Sequence, residues 1–317
     1  MSGISIVLTY YKGEKFIENC INSLIDSYEA SSKLLAYEIV MVIDSMEDAD
    51  RIESLLSKKY KDHHLIIIKN EKNIGVAESR NRGLKTIKNT FYTIIDQDDY
   101  VKSNYFSVLE KELDTDNHIH LINGVIRYPN EKIEVPIYYF RPEFEFKSII
   151  LKTTFIYTPG LVIFNSNHIP GDELFIDTSE TYKGCDDWAA YLNLILKAKG
   201  SLKYKYINSP LFVYCLHGSN YSNNKEEMIR SSTAVLEFLS HHPDVTIKEQ
   251  RLIAKSFSMQ KLYFSKDVNN SKAIQLFYRF PRQFLFHYFL SLFNLSNTNK
   301  LISKLSYVYK RQLKISD

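Results

Sequence analysis

The chain has 317 residues, 44% hydrophobic and 24% charged, with 40 Lys and Arg against 37 Asp and Glu, so its bulk is that of a globular protein with one main domain and an appendage. Three cysteines without a CxxC pair exclude a disulfide scaffold and a zinc site; the absence of a signal-peptide pattern and of an apolar run near the ~18 residues that cross a bilayer predicts a cytoplasmic protein. The net charge of +3 is uneven: residues from Lys272 onward carry +7 and residues 1–271 carry −4, which argues for a localised anionic partner and against nucleic-acid binding.

In chain order, Ile4-Ser5-Ile6-Val7-Leu8 reads as a strand. Ile17, Cys20, Ile21, Leu24, Ile25 and Tyr28 recur at spacings of three and four, the stripe of an amphipathic helix. Tyr37 to Ile43 reads as a buried strand, Arg51 to Lys59 as a helix, Leu65 to Ile68 as a strand, Ala77 to Ile87 as a helix and Phe91 to Ile95 as a fourth strand. This alternation predicts βαβ units and an α/β fold with a mainly parallel sheet. Ligands of such sheets sit outside the carboxyl ends of the strands, which singles out Thr9 to Tyr11, Asp44 and the run Asp96 to Asp99. Farther on, His118 to Tyr128 and Leu161 to Phe164 read as strands. Pro129, Pro136 and Pro142 mark 129–147 as a loop or hairpin excursion, and Gly200 ends a helix over Asp186 to Lys199. Lys203 to Ile207 and Leu211 to Tyr214 read as two short strands, and helices are expected from Lys225 onward.

Three groups of residues carry chemistry. Asp96, Asp98 and Asp99 place three carboxylates directly after an apolar strand. Their mutual repulsion favours a bound cation, and hard oxygen ligands select Mg²⁺ or Mn²⁺ with substrate phosphates completing the shell. A solvated acidic turn before a helix is the alternative. Asn73-Ile74-Gly75 followed by Arg80-Asn81-Arg82-Gly83 is a turn before a helix bearing guanidiniums suited to phosphate, or simply a helix start with solvated arginines. Gly184-Cys185-Asp186-Asp187-Trp188 opens an amphipathic helix with two acids. One caps the helix; the other serves as a general base if burial beside Trp188 raises its pKa towards neutrality. His217 is a lone histidine after a strand, a structural residue or a ligand.

Together these features resemble the inverting family 2 glycosyltransferases of the GT-A fold, over residues 3 to 222. Ser5 to Tyr11 is similar to that family's first strand and turn. Glu38 to Asp44 is similar to the strand whose terminal aspartate reads the nucleotide base. Asn73, Gly75, Arg80, Asn81, Gly83 and Leu84 fall into its N-x-G-x-x-x-x-R-N-x-G-L pattern, and Asp96-Gln97-Asp98-Asp99 matches its D-x-D-D element. Gly184, Asp186, Asp187 and Trp188 stand where the family has G-E-D-W, and Tyr214, His217 and Asn220 resemble its closing Y-R-x-H-x-x-N stretch. This chain departs from the pattern in three places: Ile43-Asp44-Ser45-Met46 keeps one acid and no glycine, Asp186 replaces glutamate and Cys215 replaces arginine.

The resemblance implies a Rossmann-like nucleotide-diphospho-sugar transferase domain over 1–222, with a nucleotide-sugar half at about 1–100 and an acceptor half at about 101–222, followed by a helical region over 223–317. It implies a hexosyl- or N-acetylhexosaminyltransferase that moves a sugar from a nucleotide sugar, expected to be UDP-linked, to a hydroxyl of a glycan acceptor. The acceptor expected is a lipid-linked oligosaccharide of surface-polysaccharide biosynthesis. By the same resemblance Asp187 is the base, and Thr9, Tyr11, Asp44, Asn73, Arg80, Asn81, Asp96, Gln97 and Asp98 bind the nucleotide sugar. Asp98, Asp99 and His217 hold Mn²⁺ or Mg²⁺.

Phe284 to Phe293 is too short to span a bilayer. With Arg279, Arg282 and Lys300 around it, it reads as an interfacial helix that brings residues 272–317 to the cytoplasmic face of a membrane. Packing on the catalytic domain, or on a second copy in a homodimer, is the alternative. Among rival functions, a dinucleotide-dependent oxidoreductase needs G-x-G, which none of the ten glycines forms. A nucleotidyltransferase needs a glycine-rich loop near the first strand. A non-catalytic nucleotide-sugar-binding scaffold is the remaining rival, opposed by the intact Asp98, Asp99 and Asp187.

Overall fold

The computed structural model describes residues 3–264, except 129–133, 140, 153–155, 173 and 177–183. Its first half is the alternating pattern read above: β1 (Gly3–Tyr10), α1 (Glu14–Glu29), β2 (Ala36–Ile43), α2 (Ala49–Lys59), β3 (Leu65–Lys69), α3 (Val76–Leu84) and β4 (Phe91–Asp96). Strands β3, β2, β1 and β4 lie side by side in that order, all parallel. Ile4, Ile6, Val7 and Leu8 of β1 and Ile39 through Ile43 of β2 are buried. Such continuous apolar runs are what strands covered on both faces require. Helix α1 supplies cover with the predicted stripe, Ile17, Cys20, Ile21 and Leu24 all being buried.

Helix α3 ends at Leu84, short of the expected Ile87. The Thr86 amide and hydroxyl both donate to the Gly83 carbonyl, at 3.0 and 2.8 Å, and close a turn there. A β-branched Thr-Ile pair after glycine gives the helix little reason to continue.

The second half is mixed. It comprises β5 (Tyr100–Val101), α4 (Tyr105–Glu112), β6 (Ile119–Arg127), β7 (Glu134–Pro136), α5 (Phe146–Ile150), β8 (Val162–Asn165), α6 (Asp186–Ala198), β9 (Tyr204–Cys215), α7 (Lys225–Ser240) and α8 (Ile247–Phe264). The sheet continues from β4 through β8, β6 and β9 to β5, with β7 paired to β6. Here β8 is antiparallel to both β4 and β6, whereas β9 runs parallel to β6. The two strands expected at 203–207 and 211–214 are one strand, β9. It bulges at Asn208 to Pro210, where the register with β6 slips and Pro210 has no N–H to donate. Helix α4 was not anticipated; it buries Tyr105, Phe106 and Leu109, and its Phe106 amide donates to Ser27 of α1 at 3.1 Å.

Contacts divide the chain into two units, Met1–Ile253 and Ala254–Asp317. The first includes α7, whose Val235, Leu236 and Leu239 are buried and whose Ser231 accepts the Gly184 amide at 3.1 Å. No helix among the described residues is long and apolar enough to cross a membrane. The interfacial segment expected at 284–293, and with it the expected contact through 272–317, lies outside the described residues.

Candidate active site

The order β3-β2-β1-β4 reverses direction between β1 and β4, so a crevice opens beyond their carboxyl ends. Thr9 of β1 is in register with Asp96, the last residue of β4. The loops that follow are tied together by one side chain. Gln97 accepts the Tyr11 amide at 3.0 Å and donates to the Tyr11 carbonyl at 2.9 Å. Gly13 is what lets it lie there, since a Cβ at that position would stand 2.1 Å from the Gln97 amide oxygen. Gln97, expected to contact the donor, forms this clamp, while Tyr11 is 47% exposed.

The three acids of this loop have different surroundings. Asp96 accepts from Arg80 at 2.5 Å and from the Thr158 hydroxyl at 3.4 Å. Asp98 Oδ2 lies 2.7 Å from His217 Nε2 and accepts from Asn220 at 3.4 Å. The His217 ring stacks on Phe16, with centroids 4.6 Å apart. Asp99 is 1% exposed, accepts the Cys215 amide at 2.9 Å and the Thr158 hydroxyl at 3.1 Å, and so faces inward. Burial, then the charges of Asp98 and Asp96, push the Asp99 carboxyl well above its ordinary range. Burial and Asp96 raise Asp98 as well, against the opposing pull of His217.

Asp44, just past β2, organises the loop before α3. It accepts the Asn70 side chain at 2.8 Å, the Ile74 amide at 2.9 Å and the Gly75 amide at 3.0 Å. Gly75 sits at φ 86, a conformation glycine adopts without strain. Asn73 accepts the same Gly75 amide at 3.1 Å, an Asx turn. On α3, Asn81 is turned to the protein: it donates to the Phe175 carbonyl at 2.7 Å and accepts the Phe175 amide at 3.0 Å. Arg80 is 4% exposed, with one terminal nitrogen on Asp96 and the other on Asp186. Burial works against its charge, but Asp186, Asp96 and Asp187 outweigh that and hold the guanidinium firmly protonated.

Helix α6 starts from Cys185, held at φ 60, an unusual value for a residue with a Cβ. Asp186 and Asp187 occupy the first turn. Asp187 is half-buried and accepts the Trp188 amide at 2.7 Å, while the Trp188 ring donates to the Ile149 carbonyl at 3.0 Å and carries Lys152 Nζ 4.9 Å from its centre. A helix N-terminus is worth about 0.3–1 kcal/mol to a carboxylate, less than one pKa unit. Burial, then the charge of Asp186, win here and push Asp187 up to about 7.

Among the described residues no three His, Cys, Asp or Glu side chains converge as a metal cage. Asp98 and His217 do meet, and one carboxylate with one imidazole is a donor set that suits a divalent ion whose other positions are left to phosphate and water. Thr158 and Phe175 are parts of the site that spacing along the chain did not single out, and Asn220, matched to the closing stretch, was given no role of its own. Thr158 had a faint signal, a Thr-Pro-Gly turn immediately before a strand.

Comparison with known proteins agrees with this fold and with the family resemblance. The model described as Glycosyl transferase family 2 matches residues 5–169. The uncharacterized glycosyltransferase EpsJ of Bacillus subtilis is 33% identical over 109 residues, 34% of this chain and 30% of that protein. Across the curated relatives matched, the aligned stretch spans 15% to 49% of their own length. TarS 1–349 of S. aureus in complex with UDP-GlcNAc superposes with a TM-score of 0.53 at 16% identity, over 89% of this chain and 78% of that one. The mannosyltransferase PcManGT of Pyrobaculum calidifontis, in complex with GDP-Man and Mn²⁺, superposes with a TM-score of 0.55 at 11% identity, over 100% of this chain and 88% of that one.

Proposed function

We propose a reaction on one premise: the chain belongs to glycosyl transferase family 2 and is a glycosyltransferase. The donor we propose is a nucleotide sugar, UDP-linked in preference to GDP-linked, bound across the crevice at the ends of β1 and β4. Both fold neighbours were captured with ligands of that class. Asp44 reads the base: a carboxylate has about four acceptor sites, and three are already filled by Asn70, Ile74 and Gly75. One remains for an imide N–H. Thr9 and Tyr11 line the same pocket, and Asp96 stands next to Thr9 for the ribose.

Asp98 and His217 would hold Mn²⁺ or Mg²⁺, which supplies a Lewis acid for the charge on the leaving diphosphate. Asp99 supports this loop from within, bound to Cys215 and Thr158. Asp187 takes the proton of an acceptor hydroxyl as that oxygen bonds to the anomeric carbon. The carbon–oxygen bond to the diphosphate breaks, and its electron pair leaves with the nucleoside diphosphate. A single displacement of this kind inverts the anomeric centre. The acceptor we propose is a glycan hydroxyl on a lipid-linked oligosaccharide at the cytoplasmic face of a membrane.

The observation that carries this reading is the Arg80 bridge, which draws Asp96 of the donor loop and Asp186, the neighbour of the base, onto one guanidinium. The test is nucleotide release and sugar transfer across UDP- and GDP-sugars, with soluble and lipid-linked acceptors and Mn²⁺ present. UDP release is expected, with Asp187→Asn slower by about 10²–10⁴-fold. Wild-type transfer rates in Asp187→Asn would remove the assigned base.

A further inference from the structure

Arg80 is a buried charge that takes no direct part in the bond changes of the reaction as drawn. Removing a guanidinium from water costs several kcal/mol, and a well-packed apolar group in its place would often be as stable. Its geometry shows where that cost goes. One nitrogen is on Asp96 at the end of β4, the other on Asp186 at the start of α6, 106 residues away along the chain. Phe175 covers the guanidinium, its ring centre 5.1 Å from Cζ, and Asn81 pins the backbone of Phe175 in turn. A planar fork can hold two carboxylates at a set separation, as the point charge of a lysine cannot.

We propose that Arg80 is a positioning residue for the base: by clamping Asp186 against Asp96 it fixes the first turn of α6, aims Asp187, and shields Asp187 from the charge beside it. The inference rests on the reading of Asp187 as base. Groups acting on Asp187 come from every side: Asp186 and Tyr191 on α6, Cys185 before it, Arg80 on α3, Asp96 on β4 and Lys152 after α5. Asp186 and Asp96 disfavour its ionised form and Arg80 favours it. The two partners of the Arg80–Asp186 bridge therefore act on the base with opposite sign.

The experiment is the pH profile of kcat/KM for sugar transfer. In Arg80→Gln the acid limb moves to higher pH, by about one unit as expected for loss of a close opposite charge. In Asp186→Asn it moves to lower pH by a similar amount, and in the double variant it returns near the wild-type position. A lowered rate with the limb unmoved in both single variants, or moved the same way, overturns the proposal. Asp186→Asn is nearly isosteric, so an unmoved limb in that variant overturns it even where Arg80→Gln does not fold. Asp187→Asn separates the two layers. Transfer persisting in that variant removes the base itself, whereas an inactive Asp187→Asn with unshifted limbs elsewhere removes only the role of Arg80.

Discussion

At the scale of single residues, Asp187 carries a measurable cost. Its carboxyl titrates near 7 in the folded protein because burial and Asp186 disfavour the charge, against about 3.9 in an unfolded chain. Between those values the folded state binds the extra proton, so stability falls as pH rises through this window and stays low above 7. Asp187→Asn lacks the penalty. Its melting temperature is therefore expected to match wild type near pH 4 and to exceed it increasingly towards pH 8, measured by calorimetry at both ends. A gap independent of pH would mean that burial and Asp186 do not hold the Asp187 carboxyl above its ordinary range. Sequence motifs picked out the acids that the fold gathers at this site, but not the side chains and backbone groups they pair with. Asn81 and Gln97, both read as donor ligands, spend their amides on Phe175 and Tyr11. A spacing pattern records which residue stands at a position, and a hydrogen bond to backbone 86 or 94 residues away leaves no mark on it.

At the scale of elements, the junction of β1 with α1 depends on the fit of Gly13 against Gln97. An alanine there would drive the Gln97 side chain off Tyr11, because the clash is with the flexible end of a side chain. Two partly exposed hydrogen bonds are lost, each worth about 0.5–1.5 kcal/mol. Gly13→Ala and Gln97→Ala are thus expected to weaken UDP binding to a similar degree in calorimetric titration. The double variant should be no worse than either single one, the signature of a shared contact. Additive losses would separate the two residues. The same scale explains what could be read in advance. β1, β2 and β4 were legible because strands buried on both faces are largely apolar runs, and β3, a half-buried edge strand, because Leu65 to Ile68 is apolar throughout. β5 and β7, with two and three residues, have no periodicity to detect, and the joining of 204–215 into one strand depends on pairing with β6, not on local pattern.

At the scale of the whole molecule, acids gather beyond the carboxyl end of β4: Asp96, Asp98 and Asp99 from that strand's end and its loop, and Asp186 and Asp187 from α6. Arg80 answers two of them and His217 a third. This excess predicts that a nucleoside diphosphate, itself anionic, binds well only together with a cation. In a thermal-shift titration, UDP with Mn²⁺ should raise the melting temperature by more than the sum of either alone, as linkage requires when the two bind the same folded site together. Asp98→Asn should abolish the synergy, and equal shifts with and without Mn²⁺ would remove the metal from the scheme. The fold class and the family were readable at this scale from the order of motifs alone. The mixed half of the sheet was not, since its strands are ordered by contacts that skip across the chain.

The exchange of two hydrogen bonds between Gln97 and Tyr11 has the form of a single ladder rung, made by a side chain in place of a neighbouring backbone. It splices the ends of two strands beyond the point where their own pairing stops, so the two lips of the crevice keep a fixed gauge. Under the proposed function, a donor arriving there would meet a slot already cut to width, and little of its binding energy would be consumed in ordering the walls.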